Sequence, residues 1–143
     1  MSSLKSLNAY RETDIKTASQ GKLILLLYDE AIKKLSLAEE QLGKERPKMD
    51  QINNAILRAQ EMITELIVSL NFEKGGDMAQ NLFALYMYFN RQLMLANIKK
   101  DQKPVAGVLF MLRELRQAWA QAIQKEKGSR DSQPGMMGVN IAG

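Results

Sequence analysis

A chain of 143 residues, 45% hydrophobic and 25% charged, is long enough for one compact domain with its own core. It contains no cysteine and no histidine, which removes disulfide scaffolds, thiol nucleophiles, soft metal ligands and the commonest general base. The 20 Lys and Arg exceed the 16 Asp and Glu by only 4, too small an excess to argue for nucleic acid.

Residues 1–16, MSSLKSLNAYRETDIK, have apolar points at Leu4, Leu7, Tyr10 and Ile15 but no sustained period. Without an apolar core or a small-residue cleavage site they do not read as a signal peptide. They read as an arm that docks on the rest of the chain.

Four long segments then carry helical periodicity, and nothing alternates like a strand. The first begins near Thr17–Ser19, where Thr17 and Gln20 have the spacing of a capping box and Ser19 is an alternative cap. Its stripe is Ile24, Tyr28, Ala31, Leu35, Ala38 and Leu42, and Gly43 suits its end. The run Leu23–Tyr28 is too short to span a bilayer, which predicts no membrane insertion. Leu23, Leu26 and Leu27 fall outside the stripe, which needs to be only about 100° wide. They are expected to require cover from elsewhere in the chain or from a partner.

Pro47 suits the first position of the second helix, with Ile52, Ile56, Ala59, Ile63, Leu66 and Leu70 facing inward until about Asn71. Phe72 to Gly76 read as a turn, and Asp77 with Gln80 caps a third helix. That helix faces inward through Leu82, Leu85, Tyr86, Phe89, Leu93 and Ala96. Asp101 and Pro104 start the fourth, which buries Val105, Val108, Leu109, Leu112, Leu115, Trp119 and Ile123 and stops at Gly128. Short connections between long helices favour antiparallel neighbours. The expected fold is an all-α, antiparallel up-down-up-down four-helix bundle over residues 17–128. The arm, 1–16, precedes it, and a flexible Gly- and Ser-rich tail, 129–143, follows.

A search for chemistry returns little. Glu61 and Glu65 stand one turn apart, but a di-iron bundle also needs Glu-x-x-His motifs and there is no histidine. The Glu73-Lys74-Gly75-Gly76-Asp77 segment lacks the order of a phosphate loop, and Asp77 repels an anion there. No G-x-S-x-G elbow is present. The sequence therefore predicts no enzyme, no cofactor and no metal. Arg91, Lys99, Lys100, Lys103, Arg113 and Arg116 are interrupted by Asp101 and Glu114 and read as a solvated mixed-charge surface, with no nucleic acid as partner.

Apolar surplus remains. The third helix has a second stripe at Phe83, Met87, Met94 and Ile98, and the fourth adds Phe110 and Met111. Central bundle helices often bury more than one stripe. Alternatively the surplus forms a groove for an amphipathic partner, which nine adaptable methionines would suit.

Three blocks carry a resemblance. Ala9–Leu35, AYRETDIKTASQGKLILLLYDEAIKKL, is similar to the N-terminal signature of the FliS family of flagellar secretion chaperones. Leu70–Asn97, LNFEKGGDMAQNLFALYMYFNRQLMLAN, resembles its central block, and LRQAW, ending at Trp119, resembles its last helix. Gln20 replaces a usual proline and Asn71 a frequent aspartate, both at helix ends. The resemblance implies a cytosolic four-helix bundle that binds the disordered C-terminal segment of flagellin. It also implies that the chaperone prevents premature polymerisation and helps deliver the client to the flagellar type III export gate. Residues expected to bind or gate flagellin are Leu7, Tyr10, Ile15, Leu23, Leu27, Phe83, Met87, Met94 and Ile98. The alternative is a non-enzymatic helical adaptor that associates with itself through the same stripes. A homodimer of the free protein stays open under either reading.

Overall fold

The computed structural model describes residues 20–131, and the described residues form four helices and no strand. Helix α1 spans Gln20–Leu42, α2 Met49–Val68, α3 Phe72–Lys99 and α4 Gln102–Asp131. Each packs on its neighbour in the chain, and α4 closes the ring against α1. Connections of a few residues turn the chain back each time, giving the expected antiparallel bundle.

The core collects the inward faces of all four helices. Tyr28, Ala31 and Leu35 of α1 meet Ile56, Ala59 and Ile63 of α2, Phe89 and Leu93 of α3, and Val105 and Leu112 of α4. At its centre the Tyr28 and Tyr86 hydroxyls hydrogen-bond each other, with ring centroids 6.4 Å apart in an edge-to-face pair. A buried hydroxyl without a partner costs more than a hydrogen bond returns, so the two tyrosines satisfy one another.

Several helix ends differ from expectation for local reasons. Pro47 is not the first residue of α2, because Lys48 stays extended (φ −88°, ψ 100°) and caps that helix. The backbone N–H of Lys48 donates to Gln41 Oε1 at 3.2 Å, tying the first connection to the end of α1. Phe72 to Gly75 do not form an open turn. They make a helical turn capped by Asn71, whose Oδ1 accepts from the Lys74 N–H at 3.0 Å. The direction changes at Gly76, where φ 50° and ψ −127° suit glycine and few other residues. Asp77 therefore starts the long part of α3 after a kink. At the other end Lys100 adopts the left-handed conformation without being glycine (φ 53°), and the N–H groups of Lys100 and Asp101 both turn back to the Ala96 carbonyl. Gly128 does not stop α4, which continues to Asp131. One glycine in a helix costs only about 1 kcal/mol and need not end it.

Polar contacts fix how the helices sit side by side. Arg116 grips the Asp29 carboxylate with two donors, at 2.8 and 3.2 Å, and Arg113 donates to Ser36 Oγ at 3.0 Å, joining α4 to α1. Arg58 of α2 reaches Glu30 of α1 at 3.3 Å. These pairs are partly exposed and set register more than stability.

Candidate functional site

The apolar surplus of α1 and that of α3 meet different fates. Leu23 and Leu27 are each only 2% exposed and belong to the same cluster as Ile56, Ile63 and Leu66. Of the two covers expected for them, the chain itself supplies this one, and neither leucine is exposed for direct contact with a partner. A bundle helix touches two neighbours, so its buried arc is wider than one stripe, and these leucines fall inside it. Ile24 packs partly against the core, and only Leu26 of the run lies at the surface. Leu7, Tyr10 and Ile15, with the arm that carries them, lie outside the described residues, as do the Thr17–Ser19 cap and residues 132–143 of the expected tail.

On α3 the second stripe is exposed. Phe83, Met87 and Met94 are between 40% and 49% accessible and Ile98 is 72% accessible. The structure brings these four residues onto one face and keeps Leu23 and Leu27 away from it. Beside them run Tyr88 and Leu95, which the periodicity argument left unassigned and which are also exposed. The same helix still fills the core through Tyr86, Phe89, Leu93 and Ala96. Phe110 of α4 is exposed too, whereas Met111 packs partly against the core.

Polar bonds hold α3 in place on α2 and so orient this face. Gln60 Nε2 donates to the Asn90 carbonyl at 3.1 Å, Asn90 Nδ2 to Thr64 Oγ1 at 3.3 Å, and Asn97 Nδ2 to Asn53 Oδ1 at 2.8 Å. Asn90 and Asn97 sit on the helical row formed with Phe83, Met87 and Met94, so the apolar stripe borders the α2–α3 seam. Contiguous exposed apolar side chains on a small protein mark a surface that meets something else.

A second feature lies at the end of the bundle where α1 begins and α4 finishes. Here a groove of about 500 Å³ is floored by Ile24, Leu66, Leu70, Leu82, Tyr86 and Trp119, with Lys74 and Glu126 among its other lining residues. The kinked first turn of α3 forms one wall, through Lys74, Gly75 and Met78. A Cβ on Gly75 would stand 2.8 Å from that of Ala79, so the turn can fold this tightly only with glycine there. Phe72 rests edge-on against Phe83 at 5.9 Å, linking this turn to the open face of α3. Under the groove, burial pushes the Tyr28 and Tyr86 hydroxyls above the usual phenol range, and for Tyr28 the neighbouring Tyr86 adds to the shift.

No group of acidic side chains among the described residues could hold a metal ion, and no described helix is long and apolar enough to cross a membrane. The chemistry on offer is apolar contact with a few hydrogen-bonding groups at its edge.

The profile of the family described as Flagellar protein FliS matches residues 3–126. The chain is 34% identical over 128 residues to the flagellar secretion chaperone FliS of Bacillus subtilis (strain 168), covering 90% of this chain and 93% of that protein. It is 32% identical over 122 residues to the protein of the same name from Vibrio cholerae, covering 81% and 87%. The structure described as a flagellar chaperone from bacteria superposes with a TM-score of 0.68 at 20% identity, over 86% of this chain and 98% of that one. That likeness establishes a shared fold, and the sequence matches go further: this chain belongs to the FliS family of flagellar secretion chaperones.

Proposed function

We propose that this chain is a cytosolic, non-catalytic export chaperone for flagellin. On this reading it holds the C-terminal segment of the client, prevents premature polymerisation and helps deliver the client to the flagellar type III export gate. The observation that carries the reading is the exposed apolar face of α3, which lies outside the bundle's buried core. Membership of a family of secretion chaperones supports it. A segment that will later pack into a filament core has an apolar side with nothing to cover it in the cytosol. Laying that side on Phe83, Met87, Met94 and Ile98 would remove both surfaces from water, at roughly 25 cal/mol per Å² buried.

The proposed role of Leu7, Tyr10 and Ile15 is gating. Ile24, one turn into α1, lines the end groove, so the chain enters the bundle beside it. An arm that shields this groove in the free protein would have to leave before the client could settle. Deletion of residues 1–11 should then speed association and increase binding of an apolar dye. Slower association with unchanged dye binding would overturn the gating role.

The direct test is titration with a synthetic peptide of a flagellin C-terminus, followed by calorimetry and size-exclusion chromatography. A one-to-one complex is expected. If the peptide fails to bind while the protein forms concentration-dependent homo-oligomers, the self-associating adaptor replaces the chaperone.

A further inference from the structure

Along the outer side of α3, Ala84, Tyr88, Arg91, Leu95 and Ile98 follow one another at steps of four, three, four and three. That alternation is the spacing of a coiled-coil seam. All five are exposed, and the flanking Met87 and Met94 are exposed with them. The seam therefore has the pattern that one helix presents to another, but none of the described helices lies on it. Its length, fourteen residue steps from Ala84 to Ile98, is about 21 Å at the rise of an α-helix.

One residue breaks its apolar character. Arg91 is the middle member of the five and the only charged residue between Gln80 and Ile98. Its guanidinium has no ion pair or hydrogen bond among the described residues, whereas Arg58, Arg113 and Arg116 are all engaged. A wholly apolar partner lying across Arg91 would strip water from an unpaired charge, which is costly. A second copy of this chain fits no better. In a two-fold pairing through this seam the middle residue of each copy meets its counterpart, so Arg91 would face Arg91. A carboxylate fits, because the planar guanidinium can donate two parallel hydrogen bonds to it.

We propose that the outer face of α3 receives an amphipathic helix of the client, one whose apolar stripe carries a single carboxylate at its middle. Arg91 pairs with that carboxylate and sets the register of the bound helix. The inference rests on the reading of this chain as a chaperone and adds to it the conformation, the chemistry and the alignment of what is bound. Arg91 acts here as a specificity residue. The apolar neighbours provide the affinity, and the charge rejects helices that arrive shifted by a turn or that carry a cation at the centre.

The test uses three synthetic helical peptides of about 18 residues. They share a leucine stripe at three–four spacing and differ only at the central position, which is Glu, Gln or Lys. The full-length protein should bind the Glu peptide at least fivefold more tightly than the Gln peptide, with the Lys peptide weakest. Arg91→Glu, an exposed change that should leave the helical circular-dichroism spectrum intact, should reverse the order so that the Lys peptide binds best. Equal binding of all three peptides, or an order unchanged in Arg91→Glu, overturns the proposal. A flagellin C-terminal peptide measured alongside separates the two levels. If it binds wild type and Arg91→Glu equally while the designed peptides show no order, the register role falls and the chaperone reading stands. If it binds neither protein while the designed peptides reverse as expected, the face and its charge rule stand and flagellin falls as the client.

Discussion

Helices α1 and α3 invite comparison because both carry more apolar residues than one buried stripe requires. In α1 most of the surplus disappears into the bundle: Leu23 and Leu27 are nearly as buried as Leu35 or Ala38, and Leu26 alone of the three stays at the surface. In α3 the surplus stays outside, with Phe83, Met87, Tyr88, Met94, Leu95 and Ile98 all exposed while Phe89 and Leu93 fill the core. Both helices have two neighbours, so topology alone does not separate them. The difference lies in angle. Leu23 and Leu27 continue the buried arc of α1 by less than one residue step, whereas the α3 residues occupy the side opposite its core. Apolar excess becomes a candidate binding surface only where it falls beyond the arc that neighbouring helices cover.

The largest effect expected from this contrast is on stability. Leu27→Ala removes a core side chain from α1 and should cost about 2–5 kcal/mol, lowering Tm by about 10 °C or more. Leu95→Ala, the same change on the open face of α3, should leave Tm within about 3 °C because its side chain is already half in water. Thermal melts of the two variants side by side check this. Similar losses from both would mean that α3 uses its outer face for folding.

The next test addresses the centre of the bundle, where the two helices meet through Tyr28 and Tyr86. Tyr28→Phe leaves the Tyr86 hydroxyl without that partner and should cost about 1–2 kcal/mol. The double change to Phe at both positions should cost less than the two single changes added together, since it leaves neither hydroxyl behind. Burial raises both hydroxyls above the ordinary phenol pKa, and for Tyr28 the Tyr86 charge adds to the effect. An unfolded tyrosine ionises near about pH 10, so the folded state binds more protons above that pH. Stability from this pair is therefore complete below about pH 10 and declines as pH rises toward the folded values. Urea unfolding at increasing alkaline pH should show that decline in the wild type and a shallower one in the double variant.

Binding comes next. Met87→Glu and Met94→Glu each place a charge where an apolar partner must desolvate it. Each should weaken a flagellin C-terminal peptide by more than about tenfold, roughly 1.4 kcal/mol, while the fold survives. Normal binding by both variants, or loss of helical circular dichroism, would move the site away from this stripe.

Much of this was legible in the sequence. The four helices, their order and most core residues follow from apolar steps of three and four, and Phe83, Met87, Met94 and Ile98 could be singled out as a second stripe. The reading failed where it assumed that one narrow stripe exhausts a core. It therefore left the cover of Leu23 and Leu27 open between the chain and a partner, although two neighbouring helices bury a wider arc. Tyr88 and Leu95 have no place in an apolar stripe, because Arg91 stands between them and interrupts the heptad, and Arg91 itself reads as one more charge on a solvated surface. The helical turn at Phe72–Gly75 was hidden by its two glycines. Its signal was present in Asn71, a good N-cap, three residues before Lys74. The end groove joins residues from all four helices, and no local pattern announces it.

The smallest predicted effect probes how tightly α1 is sealed at its start. A Cβ on Gly21 would stand 2.8 Å from Ile123 Cδ1 and 2.9 Å from its Cγ1, so α1 and α4 meet there without room for a methyl group. Alanine also favours helix over glycine by up to about 1 kcal/mol, less in a first turn than in a helix interior. The two effects oppose each other, and the half-buried Ile123 side chain can shift, so Gly21→Ala should change stability by no more than about 1 kcal/mol in either direction. The single variant therefore decides little, and the coupling decides more. In an Ile123→Ala background the obstruction is gone, and Gly21→Ala should then gain about 0.5 kcal/mol or more relative to its effect in the wild type. Denaturant melts of the four proteins in this cycle measure that difference. Zero coupling would show that the start of α1 is looser than its packing implies. The contrast between a sealed α1 and an open α3 would then hold only from Leu23 onward.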